Sequence, residues 1–381
     1  MTTPARITVV VIAPALGHDL QWIADVDPRI EVIDGHALAR GTEGGERLLQ
    51  DADVVLVGYP VPDGIAARAP HLRWAQQTQA GVSNLHGTDL WASDVILTSS
   101  RGAVSATGIA EYVIAGVYYF ARGLQEATRQ KAAREFGRRG YDLRPVTGAT
   151  IGVVGLGGIG GEVARLAKAA GMKVLATRRS VTQPQPDTDG ADLLLPAGDL
   201  VKLAAESDYI AVCAQLTAQS ERMLDAGVFA AMKPDAVLIN VARGELIDED
   251  AMVAALGEGR IRGALLDVYD GELAGRPPRP ELVELPQVIL TPHISNNGDP
   301  VGRESARRLF ADNLRRYLDG RPLLNQVDRA RATSPPPPGR KASCIRPAVS
   351  GQLYQASCIR TAPLPSIPVG RAGVPAGRHR P

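Results

Sequence analysis

The chain has few cysteines and no long apolar run. Only three of its 381 residues are cysteine, and Cys213 is the only one before residue 344. One thiol in the body of the chain excludes a disulfide framework and a cysteine-rich metal site, and it fits a reducing cytosol. No apolar run reaches the ~18–20 residues that a membrane span needs. The apolar start at 7–14 is short, has no basic region before it beyond Arg6 and has no small-residue cleavage site after it, so we expect a first strand there rather than a signal peptide, and a cytoplasmic protein.

Acidic residues are absent from 329–381. This segment holds nine of the 42 basic residues and ten of the 28 prolines, so residues 1–328 have a net charge of −8 against +1 for the whole chain. The balanced total argues against a nucleic-acid or membrane-surface protein. Without periodicity, 329–381 is predicted to be a disordered tail, from low-complexity drift or from translation past the natural end of the coding frame. With one aromatic residue, Tyr354, the tail offers little surface for bases to stack on, so only non-specific attraction to phosphate is expected there.

Short β-branched runs alternate with helical stretches in residues 1–100. Helices are predicted at 43–51 and 62–69. Five candidate strands surround them: Ile7–Ala13, Ile30–Ile33, Val54–Gly58, Leu72–Gln76 and Val95–Thr98. This βαβ rhythm predicts a parallel, doubly wound sheet.

A second βαβ rhythm occupies the rest of the body. A helix at 103–122 has an apolar face of Ile109, Val113, Val117 and Phe120, and a loop to Thr147 follows. Six strands are predicted next: Ile151–Gly155, Lys173–Thr177, Tyr209–Cys213, Ala236–Asn240, Gly263–Val268 and Val288–Thr291. With a closing helix at 301–318, the fold class is α/β, with two doubly wound sheets.

A glycine motif lies where the second rhythm begins. Gly155, Gly157 and Gly160 form G-x-G-x-x-G between a strand and a helix. The first glycine permits a tight turn, the second lets the backbone approach a pyrophosphate, and the third packs the helix close to the strand. Gly158 and Ile159 open the helix, whose N–H groups and dipole attract phosphate. Strand, helix and next strand follow in order, so the motif predicts a dinucleotide site.

The end of the next strand indicates which dinucleotide binds. An NAD site has a carboxylate there, but this chain has Arg178, Arg179 and Ser180. Guanidinium groups bind a 2′-phosphate bidentately, and the serine hydroxyl could add a donor. We therefore expect NADP(H); if the arginines are only solvated, NAD is accepted weakly.

Charged residues follow three later strands. Arg243 follows one, Asp267 and Glu272 the next, and His293 the last. Ligands of doubly wound sheets bind outside the carboxyl ends of strands, so Arg243, Glu272 and His293 could converge on one substrate. Taken singly, each has a plainer interpretation as a surface ion pair or a buried histidine. No metal is predicted, because the other histidines of the body (His18, His36, His71 and His86) lack a cysteine or carboxylate cluster at ligand spacing.

These motifs, in this order and spacing, resemble the D-isomer-specific 2-hydroxyacid dehydrogenase family over about residues 5–328. The resemblance implies two Rossmann-like domains with the active site between them, and usually a homodimer. The substrate domain is discontinuous, at 1–101 and 295–328, and the dinucleotide-binding domain is 102–294. Arg243 matches the substrate-binding arginine, Glu272 its acidic partner and His293 the proton donor.

The resemblance also assigns binding residues. Ala80 and Gly81 would hold the substrate carboxylate through backbone N–H groups, with Arg243. Thr217, Val241, Ala242 and Asp267 would line the cofactor. The expected reaction is NADP(H)-dependent reduction of a small 2-oxo acid, glyoxylate or hydroxypyruvate. Phosphoglycerate dehydrogenase and a non-catalytic, dinucleotide-sensing protein of the corepressor type are the alternatives.

Overall fold

The computed structural model describes residues 6–39, 45–102, 106–296 and 300–329. Their strands, in chain order, are β1 Ile7–Ile12, β2 Ile30–Asp34, β3 Val54–Val57, β4 Trp74–Gln77, β5 Ile96–Ser99, β6 Thr150–Val154, β7 Lys173–Arg178, β8 Gln185–Thr188, β9 Ala191–Pro196, β10 Tyr209–Val212, β11 Val237–Asn240, β12 Gly263–Leu266 and β13 Val288–Leu290.

The α-helices of the described residues are α1 Gln21–Ala24, α2 His36–Ala39, α3 Ile65–Arg68, α4 Asp89–Ala92, α5 Ala106–Ala121, α6 Leu124–Ala132, α7 Gly158–Ala169, α8 Leu200–Glu206, α9 Ala226–Ala231, α10 Glu249–Gly257, α11 Pro280–Glu284 and α12 Pro300–Leu318. Short 3-10 turns add Pro14–Leu16, Gly45–Leu49, Ser83–Leu85, Gly244–Leu246 and Glu272–Ala274. Among these, every helix is too short or too polar to span a bilayer.

The first sheet is five-stranded and parallel, in the order β2-β1-β3-β4-β5. All four residues of β3 and of β4 are buried, as expected for strands covered on both faces. One face packs on a core around Val10, Val55 and Leu97, and the other on a core around Val9, Val11 and Trp74. The predicted doubly wound arrangement is confirmed here.

The second sheet has eight strands in the order β13-β12-β11-β10-β6-β7-β9-β8. All are parallel except β8, which runs antiparallel to β9. The strand order reverses between β6 and β10, the switch point where ligands of such sheets bind. The predicted apolar face of α5 is buried on this sheet, with Ile109, Val113, Val117 and Phe120 at most 6% exposed.

The second sheet differs from its prediction in two places. All six predicted strands are present, but the sheet has two more, because β8 and β9 form an additional hairpin. β8 is polar and mostly exposed, so no apolar alternation marks it. The predicted loop at 123–147 contains α6, whose only buried residue is Gln130. A helix with no apolar face gives no periodic signal in the sequence.

The closing helix α12 packs on the first sheet. Phe310 and Leu314 join Val9, Val11 and Trp74 in one buried cluster. Val327 N–H then donates to the Leu97 carbonyl at 2.8 Å. This packing agrees with the discontinuous substrate domain, whose limits at 101/102 and 294/295 stay a prediction.

Arg329 was assigned to the predicted tail, but it contacts the fold. Its Nη2 donates to the carbonyls of Val95, at 2.6 Å, and of Leu90, at 3.3 Å. The rest of the predicted tail, 330–381, lies outside the described residues, as do 43–44 and 103–105 of the predicted helices.

Candidate active site at the carboxyl ends of the strands

The three motif glycines and the neighbouring Gly158 have two different kinds of surroundings. Gly155 has φ +96°, and a Cβ there would lie 2.7 Å from the Ala214 Cα. A Cβ on Gly160 would lie 2.2 Å from the Gly155 carbonyl oxygen. Gly157 and Gly158 instead face open space, with no atom within 4 Å of a Cβ. The first pair allows close packing, and the second leaves the N-terminus of α7 open to a phosphate group.

Arg178 lies at the end of β7, beside the glycine loop. Its Nε donates to the Leu156 carbonyl at 2.9 Å. Its Nη1 forms an ion pair with Asp189, in the turn between β8 and β9. Arg179 and Ser180 are exposed. The predicted phosphate-binding group therefore includes one arginine already oriented by a carboxylate.

Three predicted cofactor residues lie across the switch point from the glycine motif. Thr217 follows β10, and Val241 and Ala242 follow β11. Thr217 is buried, and its N–H donates to Ser220 Oγ at 2.8 Å. The Ala242 N–H donates to Asn240 Oδ1 at 3.0 Å. Cys213, in the same loop, is no candidate nucleophile, because burial raises the pKa of its thiol to about 12.

Arg243 follows β11 of the second sheet and contacts the loop after β4 of the first sheet. Its Nη1 donates to the Ala242 carbonyl at 2.6 Å. A Cβ on Gly81, in the loop after β4, would lie 2.5 Å from Arg243 Nη2. Burial lowers the pKa of the Arg243 guanidinium, while the charges of Glu245 and Glu272 raise it. Ala80 and Gly81 thus lie in a loop that contacts a charged guanidinium.

His293 and Glu272 form a pair at the ends of β13 and β12. His293 Nδ1 lies 3.0 Å from Glu272 Oε1. A carboxylate only accepts, so Nδ1 donates and Nε2 is left for another group. His293 has φ +54°, a conformation that non-glycine residues seldom adopt, and its side chain is 37% exposed.

Asp267 holds the loop that contains His293. The carboxylate is buried and accepts from Thr291 Oγ1 at 2.6 Å, Ile294 N–H at 2.8 Å and Ser295 N–H at 2.9 Å. The Asp267 carbonyl accepts from His293 N–H at 2.9 Å. Asp267 was predicted to line the cofactor; the contacts described place its carboxylate on the histidine loop.

The chain is similar to several known enzymes. Residues 114–295 match the family model described as D-isomer specific 2-hydroxyacid dehydrogenase, NAD binding domain. The chain is 32% identical over 287 residues to a glyoxylate reductase of Thermococcus onnurineus, covering 73% of this chain and 83% of that protein. It is 33% identical over 304 residues to an (S)-sulfolactate dehydrogenase of Chromohalobacter salexigens, covering 79% and 94%.

The chain belongs to the D-isomer specific 2-hydroxyacid dehydrogenase family. It is also 30% identical to D-3-phosphoglycerate dehydrogenase of Methanocaldococcus jannaschii, but it spans only 52% of that relative's length. A solved family member from Xanthobacter autotrophicus Py2, in complex with NADPH and MES, superposes with a TM-score of 0.70 at 27% identity, over 86% of this chain and all of that one. The predicted fold class and the predicted family of NAD(P)-dependent oxidoreductases acting on CH–OH groups are confirmed.

Sequence reasoning missed two features of this 2-hydroxyacid dehydrogenase. Gly244, next to Arg243, allows close packing against the loop after β12, since a Cβ there would lie 1.9 Å from the Tyr269 carbonyl carbon. Its only signal in the sequence was its place directly after Arg243. The prediction that the remaining histidines lack a carboxylate at ligand spacing is wrong, because His18, Asp34 and His36 lie together. That cluster joins β1 to β2, away from the motifs in the sequence.

Proposed function

We propose that this chain reduces a small 2-oxo acid to the 2-hydroxy acid with NADPH, with glyoxylate or hydroxypyruvate as substrate. The proposal rests on one observation: the His293–Glu272 pair and the Arg243–Gly81 contact lie at one edge of the second sheet. Their strands, β11, β12 and β13, are direct neighbours. The charge of Glu272 acts on Arg243, and its carboxylate contacts the His293 ring.

Arg243, Ala80 and Gly81 are proposed to bind the substrate carboxylate. The guanidinium provides a fixed charge and paired N–H donors, which suit a carboxylate. A Cβ at position 81 would lie 2.5 Å from Arg243 Nη2, so a larger residue would displace the guanidinium. The backbone N–H groups of this loop can therefore approach an anion closely.

His293 is proposed to deliver the proton. A bound nicotinamide cofactor supplies the hydride, and negative charge grows on the carbonyl oxygen of the substrate. Glu272 holds His293 through Nδ1, so the proton on Nε2 is the one transferred to that oxygen. Arg243 stabilises the same developing charge without moving. Asp267 keeps the histidine loop in place.

The proposed cofactor site runs from the glycine motif to β11. Gly155, Gly157, Gly158, Ile159 and Gly160 would receive the pyrophosphate. Thr217, Val241 and Ala242 would border the dinucleotide across the switch point. Arg178, Arg179 and Ser180 would bind the 2′-phosphate, which favours NADP(H) over NAD. The solved relative in complex with NADPH supports this preference.

A phosphoglycerate dehydrogenase is the second candidate, supported by the 30% identical relative of that name. We also propose a homodimer and a cytoplasmic location. Cys213, the one cysteine among the described residues, is a free thiol, which is compatible with a reducing compartment.

The test is a turnover assay on the full chain. NADPH or NADH is mixed with glyoxylate, hydroxypyruvate, 3-sulfopyruvate and 3-phosphohydroxypyruvate, and the absorbance of the reduced cofactor is followed. Fastest turnover of glyoxylate or hydroxypyruvate, with NADPH, is expected. Preference for the phosphorylated acid would favour the second candidate. Absence of turnover, with NADPH still bound, would overturn the enzymatic proposal in favour of the dinucleotide-sensing alternative.

A further inference from the structure

We propose that His18, Asp34 and His36 form a binding site for a zinc-like divalent cation at the carboxyl ends of β1 and β2. One ligand atom from each residue lies within 4.8 Å of the other two. His18 Nδ1 lies 2.5 Å from one Asp34 oxygen, and His36 Nδ1 lies 3.0 Å from the other. Two imidazoles and a carboxylate are a donor set that zinc, nickel and cobalt prefer.

The distance between the two histidines supports a shared ion. His18 Nδ1 and His36 Nδ1 lie 3.5 Å apart, at the limit of a hydrogen bond. Two nitrogens bound ~2.0–2.1 Å from a tetrahedral ion lie about 3.3–3.4 Å apart. The rings meet edge to face with centroids 5.0 Å apart, so both Nδ1 atoms converge on one point beside Asp34.

The backbone fixes two of the three ligands before any ion binds. Asp34 ends β2, and one of its oxygens accepts from the His36 N–H at 2.9 Å. Between them, the Gly35 N–H donates to the Val11 carbonyl at 2.9 Å, and a Cβ there would lie 2.8 Å from Val10 Cγ1. The turn at Asp34–His36 therefore packs directly against β1, and His36 is only 1% exposed.

His18 is the movable ligand. Its side chain is 71% exposed and follows the 3-10 turn after β1. The 2.5 Å contact with Asp34 is shorter than the spacing of two ligands on one ion, so the His18 ring must move outward by about 1 Å to admit the metal. An exposed ring can do so, and water can fill the fourth position. The bound cation would join the loop after β1 to the turn after β2.

The test is zinc titration of the full chain, freed of metal with a chelator. Cys344→Ser and Cys358→Ser are introduced first, since thiolates would also bind zinc. We expect one equivalent bound by calorimetry, four-coordinate Co²⁺ absorption bands on cobalt substitution, and a rise in the melting temperature with zinc. These readouts do not depend on catalysis.

Three variants decide the assignment. His18→Ala removes an exposed ligand and should weaken zinc binding by at least about 10–100-fold, the loss typical even for outer partners of a metal site. Asp34→Asn should do the same. His71→Ala, another exposed histidine, is the control and should bind zinc like the parent. The proposal is overturned if the parent binds no zinc, or if His18→Ala and His71→Ala bind it equally; circular dichroism verifies that each variant is folded.

Discussion

His293 Nδ1 lies 3.0 Å from Glu272 Oε1, across the ends of two neighbouring strands. This contact leaves only Nε2 of the ring to meet a substrate, and in the proposed mechanism the two residues act together as the acid. The geometry depends on Asp267, which binds the loop on both sides of the histidine.

The first prediction concerns this pair. His293→Asn should lower kcat about 10²–10⁴-fold, the usual contribution of a general acid. NADPH affinity should be unchanged, because the amide leaves the glycine motif intact. Glu272→Gln, which keeps an acceptor but not the charge, should lose less. Steady-state kinetics and cofactor titration measure both, with the exposed His71→Asn as control; a His293→Asn enzyme as fast as the parent would contradict the assignment.

The second prediction tests the contact between Gly81 and Arg243. Gly81→Ala places a methyl group 2.5 Å from the guanidinium, which must move. We expect kcat/KM for the 2-oxo acid to fall about 10–100-fold, as for a positioning error of about 1 Å. Gly198→Ala, with no atom within 4 Å of its Cβ, is the matched control. Equal kinetics of the two variants would remove Gly81 from the substrate site.

The third prediction concerns Arg178, which forms an ion pair with Asp189 and is proposed to bind the 2′-phosphate of NADPH. Arg178→Gln should reduce the preference for NADPH over NADH at least about tenfold, since a hydrogen bond to a charged group contributes about 1.5–3 kcal/mol. Asp189→Asn removes a carboxylate that competes for the same guanidinium, so it should increase the preference. Arg165→Gln breaks a similar exposed pair with Glu162 and is the control. The ratio of kcat/KM values is measured; an unchanged ratio in Arg178→Gln would refute 2′-phosphate binding by this residue.

The fourth prediction compares neighbouring glycines of α7. Gly160→Ala drives a methyl group to 2.2 Å from the Gly155 carbonyl oxygen, so it should destabilise the fold by about 1–3 kcal/mol and weaken cofactor binding. Gly161→Ala meets no atom within 4 Å and should stabilise the fold by about 0.4–1 kcal/mol. Urea unfolding measures both. Similar stability changes would show that the helix does not pack as described.

The fifth prediction concerns pH and Glu249. Burial raises the pKa of this carboxyl above its ordinary 4.5, although the Asp270 N–H donates to it at 2.8 Å. The folded state binds the proton more tightly than the unfolded chain, so stability falls as pH rises from about 4.5 through the raised pKa. Glu249→Gln should therefore be more stable than the parent at pH 8, with little difference at pH 4. Urea unfolding at both values tests this, with the exposed Glu258→Gln as control, and a larger gain at pH 4 would contradict it.

Local patterns predicted most of the fold and the motif residues. The strands of both sheets are apolar runs that burial on two faces requires, and the glycine motif needs only a strand and a helix beside it. β8 is polar, so neither its pairing with β9 nor the Arg178–Asp189 contact gave a signal in the sequence. His18 and Asp34 are 16 residues apart, and only the alignment of β1 with β2, where Val11 pairs with Asp34, brings them together.

The position of α12 has a consequence for synthesis of the chain. The first sheet buries Val9, Val11 and Trp74 under Phe310 and Leu314, which follow them by more than 200 residues. Asn313, fully buried, accepts from the Leu324 N–H at 2.7 Å and donates to Gln76 Oε1 at 3.0 Å. The first sheet to emerge from the ribosome is therefore the last to be covered. Until α12 has been synthesised, the apolar part of that face which Phe310 and Leu314 cover stays exposed, and it is the surface that a chaperone would have to shield.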